Sequence, residues 1–370
     1  MKPKVKILCL HGRGTSGAIF KSQTSNSISN SASIRSRLAD LNLTFDFLDG
    51  PYPSNPAPGI DLFYPPPYYT YYAESPQNTT IDSIRSTQDW LCGVIAERGP
   101  YDLVMTFSQG AIVAAEALLM HQVEAERGQF QQSQSAIMDG AHDEESRENK
   151  IAADGGRVGN VLPPFKSAIF ICGGAPLTLL EHIGYNIPEI TKTRDLASRS
   201  ALAQMAGSEA ILSKGSARWT AGPAISPNLN MSMNLSLGLF NLSPYPSHTR
   251  DLDDNNINTL QLTFNMEDEI RREISAGPTY AVPGTGSNAS LNGLVKIKIP
   301  TAHIYGERDP RYIAGIQLSE VCEKRSRKEY NHGGGHEIPR FEAVSGAMAD
   351  LIRWAVRAAE RQGDGGWMSC

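Results

Sequence analysis

The sequence predicts an α/β fold, a mostly parallel sheet of about six strands with helices on both faces and two long insertions. Three observations carry that prediction. Short apolar runs of strand length alternate with stretches of helical periodicity along the chain. One run, Leu103, Val104, Met105 and Phe107, turns at Ser108-Gln-Gly110 into Ala111, Ile112, Val113, Ala114, Ala115, Ala117, Leu118 and Leu119. That order reads as a buried strand, a sharp turn and a helix packed tightly on a sheet. The loops after the strands begin at His11, Asp49, Ser108, Gly173, Gly306 and Asn331, at the strand ends where such sheets carry their active residues.

Composition narrows the class. The chain has 370 residues, 40% of them hydrophobic, and a net charge of −5, which gives no electrostatic case for nucleic acid. No apolar run approaches the ~20 residues of a membrane helix. Lysines 2, 4 and 6 precede only Ile7-Leu-Cys-Leu10 before His11-Gly12, so this run reads as a first strand rather than a signal peptide. Cys9, Cys92, Cys172, Cys322 and Cys370 are scattered without CxxC spacing, which fits reduced thiols in a cytoplasmic protein and no bound metal.

In chain order, Val5 to His11 is the first strand and leads into Gly12-Arg-Gly-Thr-Ser-Gly17, a G-x-G-x-x-G match. The second strand, Leu43 to Leu48, ends at Asp49, where a ribose-binding acid could sit. A dinucleotide loop should open straight into an apolar helix. The polar Lys21-Ser-Gln-Thr-Ser-Asn-Ser27 argues against one, and the next helix is expected near Ser33, carrying Ile34, Leu38 and Leu41. Pro51 to Tyr72 is expected to be an ordered loop without regular structure because of its prolines, with Tyr68, Tyr69 and Tyr72 as one wall of a substrate pocket. Thr80 to Ile95 reads as a helix with Ile81, Ile84, Trp90, Leu91 and Val94 facing inward.

Residues 122–163 read as a low-complexity, disordered insertion. A buried strand over Phe165 to Cys172 and a short helix over Leu177 to Ile183 follow. Residues 200–294 read as an irregular insertion or lid with one helical piece, Met266 to Ile274. Ile297 to Tyr305 and Arg327 to Tyr330 are strands with a helix between them, bearing Ile313, Ile316, Leu318 and Val321. The last helix carries Phe341, Val344, Met348, Leu351, Ile352, Ala355 and Val356 on one face. The whole forms one domain over 1–362, with 363–370 a flexible tail.

The chemistry lies in three loops. Ser108 sits at a strand-to-helix corner, the geometry of a nucleophile elbow, with Gly110 supplying the small residue after it and Thr106 standing where the pattern has glycine. The plainer role for Ser108 is a helix N-cap. Acyl transfer needs a nucleophile, a base and an acid that orients the base. Ser108, Asp309 and His336 supply them in that order, each after a separate strand. Glu307 is the alternative acid, His332 the other candidate base, and Asp309 could simply initiate the turn at Pro310. An oxyanion hole would use the backbone N–H of Gln109 and one from Gly12 or Arg13, with His11 shaping the loop. No cofactor is needed.

Leu10-His-Gly12, Asp49-Gly-Pro51, Gly99-Pro-Tyr-Asp102, Phe107-Ser-Gln-Gly-Ala111, Gly306-Glu-Arg-Asp-Pro310 and Gly334-Gly-His-Glu-Ile-Pro339 together resemble the FSH family of serine hydrolases. The likeness covers about 4–121, 165–176 and 297–358 and leaves out both insertions. It implies an α/β-hydrolase fold with Ser108 as nucleophile, Asp309 as acid and His336 as base. It also implies an esterase or thioesterase acting on a small-molecule ester or acyl thioester, including a polyketide held by an acyl carrier protein in fungal secondary metabolism. A general carboxylesterase fits the same residues, and so does a hydrolase-like binding protein without turnover.

Overall fold

The computed structural model describes residues 4–25, 33–74, 79–139, 163–205, 271, 280–281, 290–291, 295–339 and 341–361. Its centre is a six-stranded sheet in which every neighbouring pair is parallel. The strands are β1 (Val5–Leu10), β2 (Leu43–Leu48), β3 (Leu103–Phe107), β4 (Ser167–Ile171), β5 (Thr301–Tyr305) and β6 (Arg327–Asn331), in spatial order β6-β5-β4-β3-β1-β2. The order reverses between β1 and β3, and such a crevice is where open α/β sheets bind ligands.

Side-chain alternation sends each strand to two cores. Leu8, Leu10, Val104, Ala168 and Phe170 pack against helices α2 (Ile81–Arg98), α3 (Gln109–Asp139), α4 (Leu177–His182) and α6 (Tyr312–Glu320). Ile7, Cys9, Leu103, Met105, Ile169 and Ile304 face α1 (Gly17–Thr24) and α7 (Glu342–Arg361). Both faces of the central strands are therefore covered, and β3 and β4 read as continuous buried runs. A further helix, α5 (Glu189–Met205), precedes the long second insertion.

Several elements differ from the sequence expectation. The helix after the glycine loop starts at once: α1 is capped by the Ser16 hydroxyl and buries Ile19 and Phe20. Gly17 and Thr24 are buried on the same helix while Ala18 and Lys21 are exposed, whereas 33–41 holds only one 3₁₀ turn, Ser36–Leu38. The proline-rich segment is not wholly irregular, since Tyr52–Pro53 and Tyr69–Thr70 pair antiparallel. Helix α3 continues to Asp139, well into the stretch expected to be disordered. Its Gln, Glu, Arg and Ala residues are good helix formers despite their low hydrophobicity. Likewise α5 reaches Met205, past the expected start of the second insertion. Phe341 is 75% exposed, because it precedes α7 rather than lying on its inner face.

The rest of 122–163 and the tail 363–370 lie outside the described residues, as does the helical piece Met266 to Ile274 except Arg271. Arg271 bonds Glu320 at 2.7 Å and Glu329 at 2.9 Å, at the β6 edge of the sheet. No helix among the described residues is long and apolar enough to cross a membrane.

Candidate active site

Ser108 closes β3 with φ of 53°, a left-handed backbone that a non-glycine residue holds only under constraint. The constraint is visible on both sides. Ser108 N–H donates to Ile171 O at 2.9 Å, and the turn behind it is so tight that a Cβ on Gly110 would lie 2.5 Å from Leu10 O. Helix α3 starts at the next residue, so the Gln109 N–H has no partner inside the helix. Thr106 points away from this corner into the sheet, fully buried, its hydroxyl donated to Ile169 O at 2.9 Å.

Three strand ends converge there. His336 Nε2 stands 2.9 Å from Ser108 Oγ, and His336 Nδ1 stands 2.8 Å from Asp309 Oδ2. The other oxygen of Asp309 accepts the Arg311 backbone N–H at 2.7 Å, and the Asp309 side chain is 1% exposed. The ring of Phe107 packs on His336 at 5.2 Å between centroids. The loops that carry Asp309 and His336 meet backbone to backbone: a Cβ on Gly306 would lie 2.1 Å from Gly334 O, which also accepts Arg308 N–H at 3.0 Å. Cys172, at the end of β4 with φ of 49°, lies beside them. One ligating atom each from Cys172, Asp309 and His336 falls within 4.8 Å, but the Asp309 and His336 atoms already engage each other.

The alternatives sit elsewhere. Glu307 is exposed, with its N–H donated to Asn331 Oδ1. His332 is 7% exposed, its Nδ1 accepting Gly334 N–H at 3.1 Å and its Nε2 3.9 Å from Cys172 Sγ. Asp49, the possible ribose acid, accepts Gly17 N–H at 2.8 Å and so holds the start of α1.

The loop after β1 lies across from Ser108. His11 is fully buried and kept neutral, because burial pulls its pKa down to about 4. Its Nδ1 donates to Gly12 O at 2.7 Å while Nε2 accepts Gly50 N–H at 2.9 Å, which pins the loop. Among the described residues, the N–H groups of Gly12 and Arg13 donate to no backbone acceptor. The aromatic segment is tied to the same loop through Gly14 N–H to Tyr69 O at 2.9 Å and Tyr69 N–H to Thr15 O at 2.7 Å. It is tied to the elbow by the Gln109 side chain, whose Oε1 accepts from the Thr70 hydroxyl at 3.0 Å and from Tyr71 N–H at 3.3 Å.

The three tyrosines chosen from the sequence occupy different settings. Tyr69 is half-buried beside the loop after β1, with its ring 6.5 Å from that of His11. Tyr68 is buried and donates its hydroxyl to Tyr64 O at 2.6 Å. Tyr72 is 3% exposed and donates to Glu116 Oε2 at 2.7 Å, away from the serine. Burial pushes the Glu116 carboxyl up to about 8, against the hydrogen bonds from Tyr72 and Gln88. The roles of Thr70, Glu116 and Arg311 carried no sequence signal. Each depends on a partner far along the chain, such as Gln109 for Thr70 and Tyr72 for Glu116.

Comparison with known proteins gives a consistent set. A family model described as Serine hydrolase (FSH1) matches residues 1–196 and 275–348. Esterase FPY3 of Fusarium mangiferae is 24% identical over 338 residues, 91% of this chain and 89% of its own. Esterase alnB of Emericella nidulans is 24% identical over 363 residues, 96% of this chain and 98% of its own. Among solved structures, esterase PE8 aligns with 95% of this chain and 93% of its own at 11% identity, with a TM-score of 0.38.

Proposed function

From the premise that this chain belongs to the serine hydrolase (FSH1) family, we propose that it cleaves a carboxylic ester or acyl thioester through an acyl group carried on Ser108. The observation that carries the reading is the unbroken hydrogen-bonded line from Ser108 Oγ through His336 to the buried Asp309 carboxylate. Ser108 Oγ attacks the acyl carbonyl as its proton passes to His336 Nε2. Asp309 holds the ring with Nδ1 protonated and stabilises the imidazolium. The carbonyl oxygen, now negative, takes hydrogen bonds from the N–H of Gln109 and of Gly12 or Arg13, each worth about 2.7–4 kcal/mol in the transition state. His336 returns its proton to the departing alkoxide or thiolate. A water then repeats the cycle on the acyl-serine, with His336 as base, and the carboxylic acid leaves.

The full-length likeness to two proteins named as esterases supports an ester substrate. The same acyl-serine chemistry accepts a thioester, and the family resemblance extends that reading to an acyl chain on a carrier protein in secondary metabolism. The buried thiols of Cys9, Cys172 and Cys322 support a reducing, cytoplasmic setting. The test is labelling with a fluorophosphonate, followed by peptide mapping. An adduct on Ser108, absent in Ser108→Ala, supports the reading, and a folded protein that takes no label refutes it. Parallel turnover of p-nitrophenyl esters and acyl-N-acetylcysteamine thioesters ranks the two leaving groups.

A further inference from the structure

Arg311 lies two residues past the acid and does two things at once. Its backbone N–H fixes Asp309 Oδ1 at 2.7 Å, while its side chain turns inward and is 6% exposed. That guanidinium reaches α5, where Nη1 bonds the Asp195 carboxylate and, at 2.9 Å, the Ser198 hydroxyl. Ser198 in turn donates to Asp195 O at 2.7 Å, and Arg199 pairs with the second carboxylate oxygen at 2.7 Å. The guanidinium also lies over the loop after β4, since a Cβ on Gly174 would fall 2.4 Å from Arg311 Nη2. A buried guanidinium with one carboxylate partner is strongly held, because losing that partner strands a charge in the interior.

We propose that Asp195 is a positioning residue for the acid of the triad, acting through Arg311 to set the orientation of the Asp309 carboxylate, so that the docking of α5 is part of what makes the serine reactive. The inference rests on the proposed function above. It assigns a role in the reaction to a helix that touches neither Ser108 nor His336. The physical reason is geometric. Asp309 N–H donates to Gly306 O and Tyr312 N–H to Asp309 O, so residues 306–312 form one short turn in which Arg311 cannot shift without carrying the Asp309 acceptor bond with it. Gly315 N–H donates to Arg311 O, which joins the same turn to α6.

The test compares Asp195→Asn, Asp195→Glu and the parent chain, first by the rate of fluorophosphonate labelling at Ser108 and then by steady-state turnover of a p-nitrophenyl ester. Far-UV circular dichroism at the assay temperature confirms folding. Asp195→Asn is expected to lower kcat and the labelling rate 10-fold or more with KM within 2-fold, and Asp195→Glu, which keeps the charge, is expected to recover most of the loss. A folded Asp195→Asn protein with kcat within 2-fold of the parent overturns the proposal, and so does a loss that falls on KM alone. If Asp195→Asn does not fold, Ser198→Ala is read instead, since it removes one guanidinium bond and leaves the ion pair. A 2- to 5-fold fall in kcat then supports the proposal, and an unchanged kcat overturns it. A parent chain that takes no label overturns both this inference and the proposed function, whereas a labelled parent beside an equally reactive Asp195→Asn overturns this one alone.

Discussion

The side-chain oxygen of Gln109 accepts the Thr70 hydroxyl at 3.0 Å, so the residue after the serine grips the aromatic segment. On the proposed function its backbone N–H is an oxyanion donor, while its side chain holds the aromatic segment. Gln109→Glu separates the two functions. A carboxylate can still accept from Thr70 and Tyr71, but it sets a negative charge one residue from a developing oxyanion. We expect kcat to fall roughly 10²-fold with the fold intact, of the order of losing one oxyanion donor. Stopped-flow turnover of an activated ester measures it, and a fall under 3-fold would exclude the N-terminus of α3 from the oxyanion site.

Asp309→Asn should keep the backbone turn and lose the tautomer control of His336. The expected cost is about 10³–10⁴-fold in kcat. Glu307→Gln, at an exposed side chain, should change kcat by less than 2-fold. Equal losses in the two variants would move the acid role away from Asp309.

Thr106 stands where the family pattern has glycine, and its hydroxyl is spent on Ile169 O inside the sheet. Thr106→Val should cost about 1 kcal/mol of stability, the net worth of one buried hydrogen bond. Turnover should be unchanged, because the side chain points away from Ser108. Urea denaturation read alongside ester hydrolysis tests both halves. A large activity change would place this side chain on the substrate instead.

Glu116 is buried beneath hydrogen bonds from Tyr72 and Gln88, and burial raises its carboxyl to about 8. The folded state therefore holds a proton that the unfolded chain has lost above its ordinary carboxyl pKa of roughly 4.3. Stability from this group is full below about pH 4.3 and is lost progressively as pH rises toward 8. Glu116→Gln removes that slope. Its melting temperature should match the parent near pH 5 and exceed it by several degrees at pH 9. Parallel melting curves across that range would refute a raised Glu116. His11 and His303 act in the opposite sense. Burial lowers them to about 4 and about 3, so their share is complete above the unfolded histidine value and is lost as pH falls toward those values.

The sheet and the candidate residues Ser108, Asp309 and His336 were legible because each depends on local pattern. Apolar runs mark the strands, the Ser108 corner is written in five consecutive residues, and Asp309 and His336 each follow a strand directly. Position relative to partners was not legible. Tyr72 and Tyr69 look alike in sequence, yet Glu116 draws one into the core while the other lies beside the loop after β1. Helix α1 has only Ile19 and Phe20 as an apolar signal, and the polar, charged composition past His121 hides the continuation of α3 to Asp139. Nothing in the sequence marks Arg311, and only the fold brings Asp195 to it across 116 residues.

The contact at Gly306 and Gly334 has a bearing on how such chains diversify. Asp309 and His336 follow the adjacent strands β5 and β6, and their loops meet at the Gly306 and Gly334 backbones, with Arg308 Nε donating to Gly333 O at 2.8 Å beside them. Any residue larger than glycine at 306 strikes the loop that carries His336. A lineage would thus be held nearly immobile at these two glycines.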